Sequence, residues 1–113
     1  MPEPLLAQRL RRLPAATVLG REVRVARGPR ARLLGLAHLD REEAGAGLLI
    51  PHCSSVHTFG MRFPLDLYFL GARGEVVVVR RLVPARRLAF CGRARAVLEL
   101  PAEEGGEILA ATS

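Results

Sequence analysis

The stretch LDLYFLGARGEVVVVRRLV, residues 65–83, decides the fold class. Leu65–Leu70 is an apolar run of strand length, and residues 75–83 contain four consecutive valines, which favour extended backbone. Between these runs, residues 71–74 (Gly-Ala-Arg-Gly) have the composition of a tight hairpin loop. The stretch therefore predicts two antiparallel strands joined by a short turn.

Shorter strand patterns lie on both sides of this hairpin. Residues 17–26 alternate between apolar and polar side chains around Gly20, which predicts a half-buried strand that pairs with residues 16–19. Leucines at near-helical spacing predict one short helix near residues 30–39, and the polar, Gly-rich residues 40–47 predict a loop. The predicted fold is mainly β, a compact antiparallel β-sandwich or barrel-like domain with this one helix. Further strands are predicted at residues 48–51, 56–59 and 95–100.

The chain length of 113 residues predicts one domain with one modest core. Because Pro2, Pro4 and Pro14 oppose a long helix, residues 1–15 are predicted as an N-terminal segment with a short helical turn, and residues 16–113 as the single β domain. No apolar run approaches the ~20 residues that span a bilayer. The N-terminal residues lack the apolar core of a signal peptide, which favours a cytoplasmic location.

The chain is basic, with a net charge of +6, and all 17 of its basic residues are arginine. Residues 76–98 hold six arginines and no acidic residue. Such a segment can meet an anionic small molecule, an acidic protein partner or a nucleic acid. Nucleic-acid binding through residues 76–98 is an open alternative, although Phe90 is the sole aromatic residue there for base stacking.

Polar residues with chemical potential concentrate just before the hairpin. They predict a ligand-binding site formed by His57, Thr58, Met61, Arg62 and Asp66. Asp66 lies within an apolar run, where a carboxylate needs a partner. It therefore either caps a turn, pairs with Arg62 or binds a ligand beside His57.

The same region allows a metal site as an alternative. His52, Cys53, His57 and Cys91 are residue types that bind zinc, although no Cys-x-x-Cys pair is present. No other cofactor is predicted. A disulfide between Cys53 and Cys91 is a further alternative, which a reducing cytoplasm disfavours.

Nucleophilic catalysis would need a nucleophile and a base within hydrogen-bond reach. Cys53, Ser54 and Ser55 are close in sequence to His57, but no Gly-x-Ser-x-Gly motif is present. The residues therefore favour a non-enzymatic binding or accessory module over an enzyme.

Four short motifs follow one another along the chain: Arg32-Leu33-Leu34-Gly35-Leu36, Pro64-Leu65-Asp66-Leu67-Tyr68-Phe69, Gly74-Glu75-Val76-Val77 and Val97-Leu98-Glu99-Leu100. In this order they resemble the family known as domain of unknown function 192. The resemblance implies a small β-sandwich or barrel-like domain and no established activity. The family residues carried over are His57, which takes the place of a tryptophan common in the family, Pro64, Asp66 and Glu99.

Overall fold

The structure, a computed structural model, describes residues 9–103. These residues begin in a helical turn at residues 9–11 and continue through eight strands and two short helices. Neither of the two helices is long and apolar enough to span a membrane. In chain order the elements are β1 (Ala15–Val18), β2 (Arg21–Val25), α1 (Gly28–Leu34), α2 (Arg41–Ala44), β3 (Leu48–Pro51), β4 (Ser55–His57), β5 (Leu65–Leu70), β6 (Val76–Val83), β7 (Leu88–Phe90) and β8 (Ala96–Pro101).

Six strands form one sheet in the order β1-β2-β3-β8-β5-β6, and β4 pairs with β7 in a second, two-stranded sheet. The mainly β prediction is confirmed, but the large sheet does not close into a barrel, because β1 and β6 are its two edges in the described chain. The pair β2–β3 is parallel, whereas the other strand pairs are antiparallel. Parallel strands need a crossover connection, and α1 and α2 lie in it.

The predicted short helix is confirmed with shifted bounds, and the predicted loop after it is corrected. The helix predicted near residues 30–39 covers Gly28–Leu34, with Pro29 in its first turn, and Gly35, which has φ = 55°, is its C-cap. Residues 40–47 are not all loop, because α2 lies within them. The main-chain N–H of Asp40 donates to Glu43 Oε1 at 2.8 Å, which stabilises the first turn of α2.

The central hairpin is confirmed. β5 and β6 pair antiparallel, and the Gly71 N–H donates to the Glu75 carbonyl at 2.8 Å across the turn. Strand β5 is buried along its whole length and lies inside the large sheet, between β8 and β6. Leu65, Leu67 and Phe69 pack in a core cluster with residues of β4 and β7, whereas Tyr68 and Leu70 pack in a second cluster with residues of β2 and β8.

Asp66 stabilises an irregularity in the edge strand. Leu65 is paired with Val83 and Leu67 with Arg80, so Asp66 faces two residues of β6 in a β-bulge. Leu82, in the bulge, has φ = 55°, and its N–H donates to Asp66 Oδ1 at 2.9 Å. The other carboxylate oxygen lies 3.6 Å from Arg81 Nε. The carboxylate therefore satisfies a backbone donor that the bulge removes from the strand ladder.

Replacing Asp66 is expected to destabilise the fold. Asp66→Ala leaves the part-buried Leu82 N–H without its acceptor, which costs about 1–3 kcal/mol. Asp66→Asn keeps an acceptor and should cost less. Urea denaturation of the two variants measures both values. Equal losses for the two variants would show that the ion pair with Arg81, and not the bulge hydrogen bond, carries the effect.

Candidate ligand-binding cavity

A cavity of about 460 Å³ lies where α1, the two-stranded sheet and β8 meet. Its volume is within the usual range for small-molecule sites. Its walls are largely aliphatic and aromatic, and four polar side chains interrupt them. The lining residues are Arg32, Leu33, Ser55, Val56, His57, Leu88, Ala89, Phe90 and Glu99.

Three large apolar side chains of this lining remain open to solvent. Leu33 is 66% exposed, Leu88 79% and Phe90 69%. Leu88 and Phe90 alternate with Ala89 along β7, so both are on the outer face of the small sheet, and Ala89 packs against the core. The mouth of the cavity is therefore apolar and uncovered in the described chain.

His57 is held in one tautomer by two main-chain groups. Its Nε2 lies 2.9 Å from the Leu33 carbonyl, and its Nδ1 accepts the Phe59 N–H at 3.2 Å. Since a carbonyl can only accept a hydrogen bond, Nε2 must carry the proton. The imidazole is then neutral and joins α1 to the end of β4.

Glu99 is a carboxyl group enclosed at the inner end of the cavity. The residue is 1% exposed, and its Oε1 accepts the Leu36 N–H at 3.2 Å. Burial raises the pKa of Glu99 to about 8, although the Leu36 hydrogen bond and the nearby Arg9 guanidinium act in the opposite direction. Arg9 itself donates to the carbonyls of Gly35 and Ala37 at 3.2 and 2.8 Å. At pH 7 the Glu99 carboxyl is therefore mostly neutral and can donate a hydrogen bond.

Arg32 is the charged group at the rim of the cavity. It is exposed at the end of α1, and its Nη2 donates to the His52 carbonyl at 2.8 Å. With Glu99 protonated and His57 neutral, Arg32 gives the lining a net positive charge. The cavity thus combines apolar walls, a neutral acid and one guanidinium.

The five residues predicted as a ligand site do not come together. His57 lines the cavity, but Thr58 is fully buried and donates through Oγ1 to the Pro84 carbonyl at 2.7 Å. Met61 belongs to the core cluster, and Arg62 pairs on the surface with Asp40 at 3.0 Å. The alternative in which Asp66 pairs with Arg62 is wrong, because Arg62 pairs with Asp40 and Asp66 lies next to Arg81.

His57 and Asp66 are on opposite sides of the large sheet. Alternation along β5 puts Asp66 on the face of Tyr68 and Leu70, and the two-stranded sheet packs on the other face. His57 and Asp66 are therefore close in sequence but do not share a site, because successive residues of a strand point to opposite faces of its sheet.

The structure does not assemble the predicted zinc ligands. Across residues 9–103, no three side chains of His, Cys, Asp or Glu are close enough to hold a metal ion. The disulfide is not formed either, since Cys53 and Cys91 are free thiols. The Cys91 N–H donates to the Ser54 carbonyl at 2.9 Å, so Cys91 lies opposite Ser54, one residue out of register with Cys53.

Sequence reasoning missed three parts of the cavity: Arg32, Glu99 as a lining group, and strand β7. A signal for Glu99 was present, because Val97-Leu98-Glu99-Leu100 embeds one carboxyl in an apolar strand, as the Asp66 motif does. The three-residue strand β7 follows a proline and two arginines and shows no strand pattern of its own.

Comparison with a family model matches residues 13–108, and the model describes an uncharacterised family, DUF192. The chain belongs to the DUF192 family. The resemblance in the sequence motifs is thereby confirmed, over a longer stretch than those motifs cover. A comparison with curated protein sequences finds no match.

Two solved structures resemble this chain in fold. A protein of Sinorhizobium meliloti 1021, described as a candidate transcription regulator, has a TM-score of 0.64 and 21% identity, over 78% of this chain and 77% of that one. A protein of unknown function from Novosphingobium aromaticivorans DSM 12444 has a TM-score of 0.58 and 22% identity, over 78% of this chain and 70% of that one. At these identities the likeness concerns the fold alone.

Proposed function

We propose that this DUF192 domain is a non-enzymatic binding module whose cavity takes a small amphipathic carboxylate. The observation that carries the proposal is the composition of the cavity: a neutral, buried Glu99, a neutral His57 and the Arg32 guanidinium among apolar walls. The proposal keeps His57 from the site predicted by sequence and replaces Asp66 by Glu99 and Arg32.

Each part of the ligand follows from one part of the lining. Leu33, Val56 and Phe90 offer apolar surface that an aliphatic body would cover. A guanidinium binds a carboxylate through two parallel hydrogen bonds, which favours an acid over an alcohol at the rim. A protonated amine would be repelled by the Arg32 guanidinium, and the lining contains no ionised acid at pH 7 that could pair with it. A small monocarboxylate matches all three conditions.

The test uses hexanoate, with hexanol and hexylamine as neutral and cationic probes of the same length. We expect hexanoate to shift the backbone amide resonances of residues 55–57 and 88–90 and to bind more tightly than either analogue. Arg32→Gln should weaken hexanoate binding by about fivefold to tenfold, the effect of about 1 kcal/mol expected for an exposed ion pair.

Arg73→Gln is the matched control, because it removes an exposed arginine from the β5–β6 turn, which does not line the cavity. If Arg32→Gln and Arg73→Gln weaken hexanoate binding equally, the effect depends only on the net charge of the protein, and the proposal is contradicted. Hexanol binding as tightly as hexanoate would contradict the role of Arg32. The absence of shifts at the lining residues would remove the cavity as a site.

A further inference from the structure

A second groove adjoins the cavity along β7, and the two share Leu88, Ala89 and Phe90 in their linings. It has a volume of about 540 Å³ and runs between the end of β6 and β7. We call it the arginine groove. Its lining contains no acidic residue: Val79, Arg80, Arg81, Leu82, Val83, Pro84, Arg87, Leu88, Ala89 and Phe90.

We propose that the arginine groove docks an extended, acidic segment of a partner protein with an apolar centre. Leu82, Leu88 and Phe90 are exposed large apolar side chains that such a centre would cover. Arg80 and Arg87 are exposed beside them, and neither guanidinium takes part in an ion pair within residues 9–103. The groove therefore combines uncovered apolar surface with two cations at its margins.

The third cation of the groove has a different role. Arg81 lies 3.6 Å from the Asp66 carboxylate, and its Nη2 donates to the Glu103 carbonyl at 3.0 Å. The Arg81 guanidinium therefore already has partners within the domain. The charge complementarity offered to a partner rests on Arg80 and Arg87.

The backbone of the groove suits an extended partner. β6 is the last strand of the large sheet, and β7 pairs with β4 alone in the described chain, so each has an edge without a strand neighbour. Free strand edges accept an added strand, whose alternate side chains contact the surface beside the edge. A bulge and arginines on β6 limit indiscriminate pairing, so the partner must contribute complementary charge.

The lining favours protein over nucleic acid. Single-stranded nucleic acids bind through aromatic side chains on which bases stack, and Phe90 is the aromatic residue of this groove. Leu82 and Leu88 give no stacking surface, whereas they are ordinary partners for Leu or Val of a peptide. The arginine-rich segment proposed as a nucleic-acid site thus supplies the cations of a protein-docking groove.

Fluorescence anisotropy with end-labelled probes tests the proposal. The peptide Glu-Glu-Leu-Val-Leu-Val-Glu-Glu has eight residues, the length of β6. Its controls replace the four glutamates by lysine or the four apolar residues by serine, and an eight-nucleotide oligothymidylate is the nucleic-acid probe. We expect saturable binding of the acidic apolar peptide and weaker binding of all three other probes.

The variant that reverses both charges, Arg80→Glu with Arg87→Glu, should weaken binding of that peptide about tenfold or more. Arg73→Glu, an equivalent reversal in the distant β5–β6 turn, should change it less than about twofold. Leu88→Ser tests the apolar half and should also weaken binding. Circular dichroism confirms that each variant is folded.

Three results would overturn the inference. The serine peptide binding as well as the apolar one would reduce the interaction to net charge. Tighter binding of oligothymidylate would assign the groove to nucleic acid, and no binding of the peptide at low salt would leave the groove without this function. Since Arg32→Gln should not alter peptide binding, failure here is distinguishable from failure of the carboxylate site.

Discussion

The free energy of unfolding is expected to fall by about 5 kcal/mol as the pH rises from about 4.5 to about 8, because of Glu99. In this interval the unfolded chain has lost the Glu99 proton, whereas the folded chain keeps it, since burial raises the pKa of Glu99 to about 8. Folding therefore takes up a proton, and each pH unit removes about 1.4 kcal/mol of stability. The contribution is complete below pH 4.5, is lost as the pH rises towards 8, and does not change further above it.

Urea denaturation at a series of pH values measures this dependence. Glu99→Gln is the diagnostic variant, because it keeps an acceptor for the Leu36 N–H and cannot ionise. Its stability should be nearly flat over the interval, close to that of the parent chain at pH 5 and several kcal/mol above it at pH 9. Glu42→Gln, at an exposed carboxylate of α2, should leave the slope unchanged. Parallel curves for the parent chain and Glu99→Gln would contradict the assignment.

The size of this effect matters for a domain of this length. Domains are typically stable by 5–15 kcal/mol, so a loss of about 5 kcal/mol is a large part of the total. A buried acid that weakens the fold at neutral and alkaline pH is understandable where it serves the cavity. Above pH 8 an ionised Glu99 would repel a carboxylate ligand, so the proposed binding of hexanoate should weaken over the same pH range.

The central hairpin could be predicted from the sequence because its signals are local. The turn Gly71–Gly74 and the valines of β6 lie within a few residues of their partners, and burial of β5 follows from its apolar run. The same holds in principle for α2, since Asp40 and Glu43 have the spacing of a capping box. The glycines that follow, Gly45 and Gly47, favour a loop instead, and they hide this helix signal in the sequence.

The cavity could not be predicted because it depends on contacts between distant residues. Glu99 meets the Leu36 N–H across 63 positions of sequence, and His57 meets the Leu33 carbonyl across 24. Strand β7 is stabilised by its pairing with β4 and has too few residues to show a period. The two embedded carboxyls, Asp66 and Glu99, look alike in sequence, and sheet packing alone decides that one closes a bulge and the other lines a cavity.

Gly35→Ala is expected to destabilise the domain by about 3 kcal/mol for two separable reasons. Gly35 ends α1 with φ = 55° and ψ = −129°, a conformation that a residue with a Cβ adopts at a cost of about 1–3 kcal/mol. A Cβ at this position would also lie 2.6 Å from Glu99 Oε1. That oxygen is buried and held by the Leu36 N–H, so relieving the collision means weakening the hydrogen bond or displacing the carboxyl.

Gly45→Ala separates the two causes. Gly45 ends α2 with φ = 60° and ψ = −135°, close to the angles of Gly35, but a Cβ there meets no atom within 4 Å. It should therefore show the backbone cost alone, and the difference between the variants, about 1–2 kcal/mol, measures the collision with Glu99. Combining Gly35→Ala with Glu99→Ala, which removes the colliding oxygen, should recover this difference relative to Glu99→Ala alone. Equal losses for Gly35→Ala and Gly45→Ala would mean that Glu99 is not fixed against the end of α1 and would weaken the case for an ordered acid in the cavity.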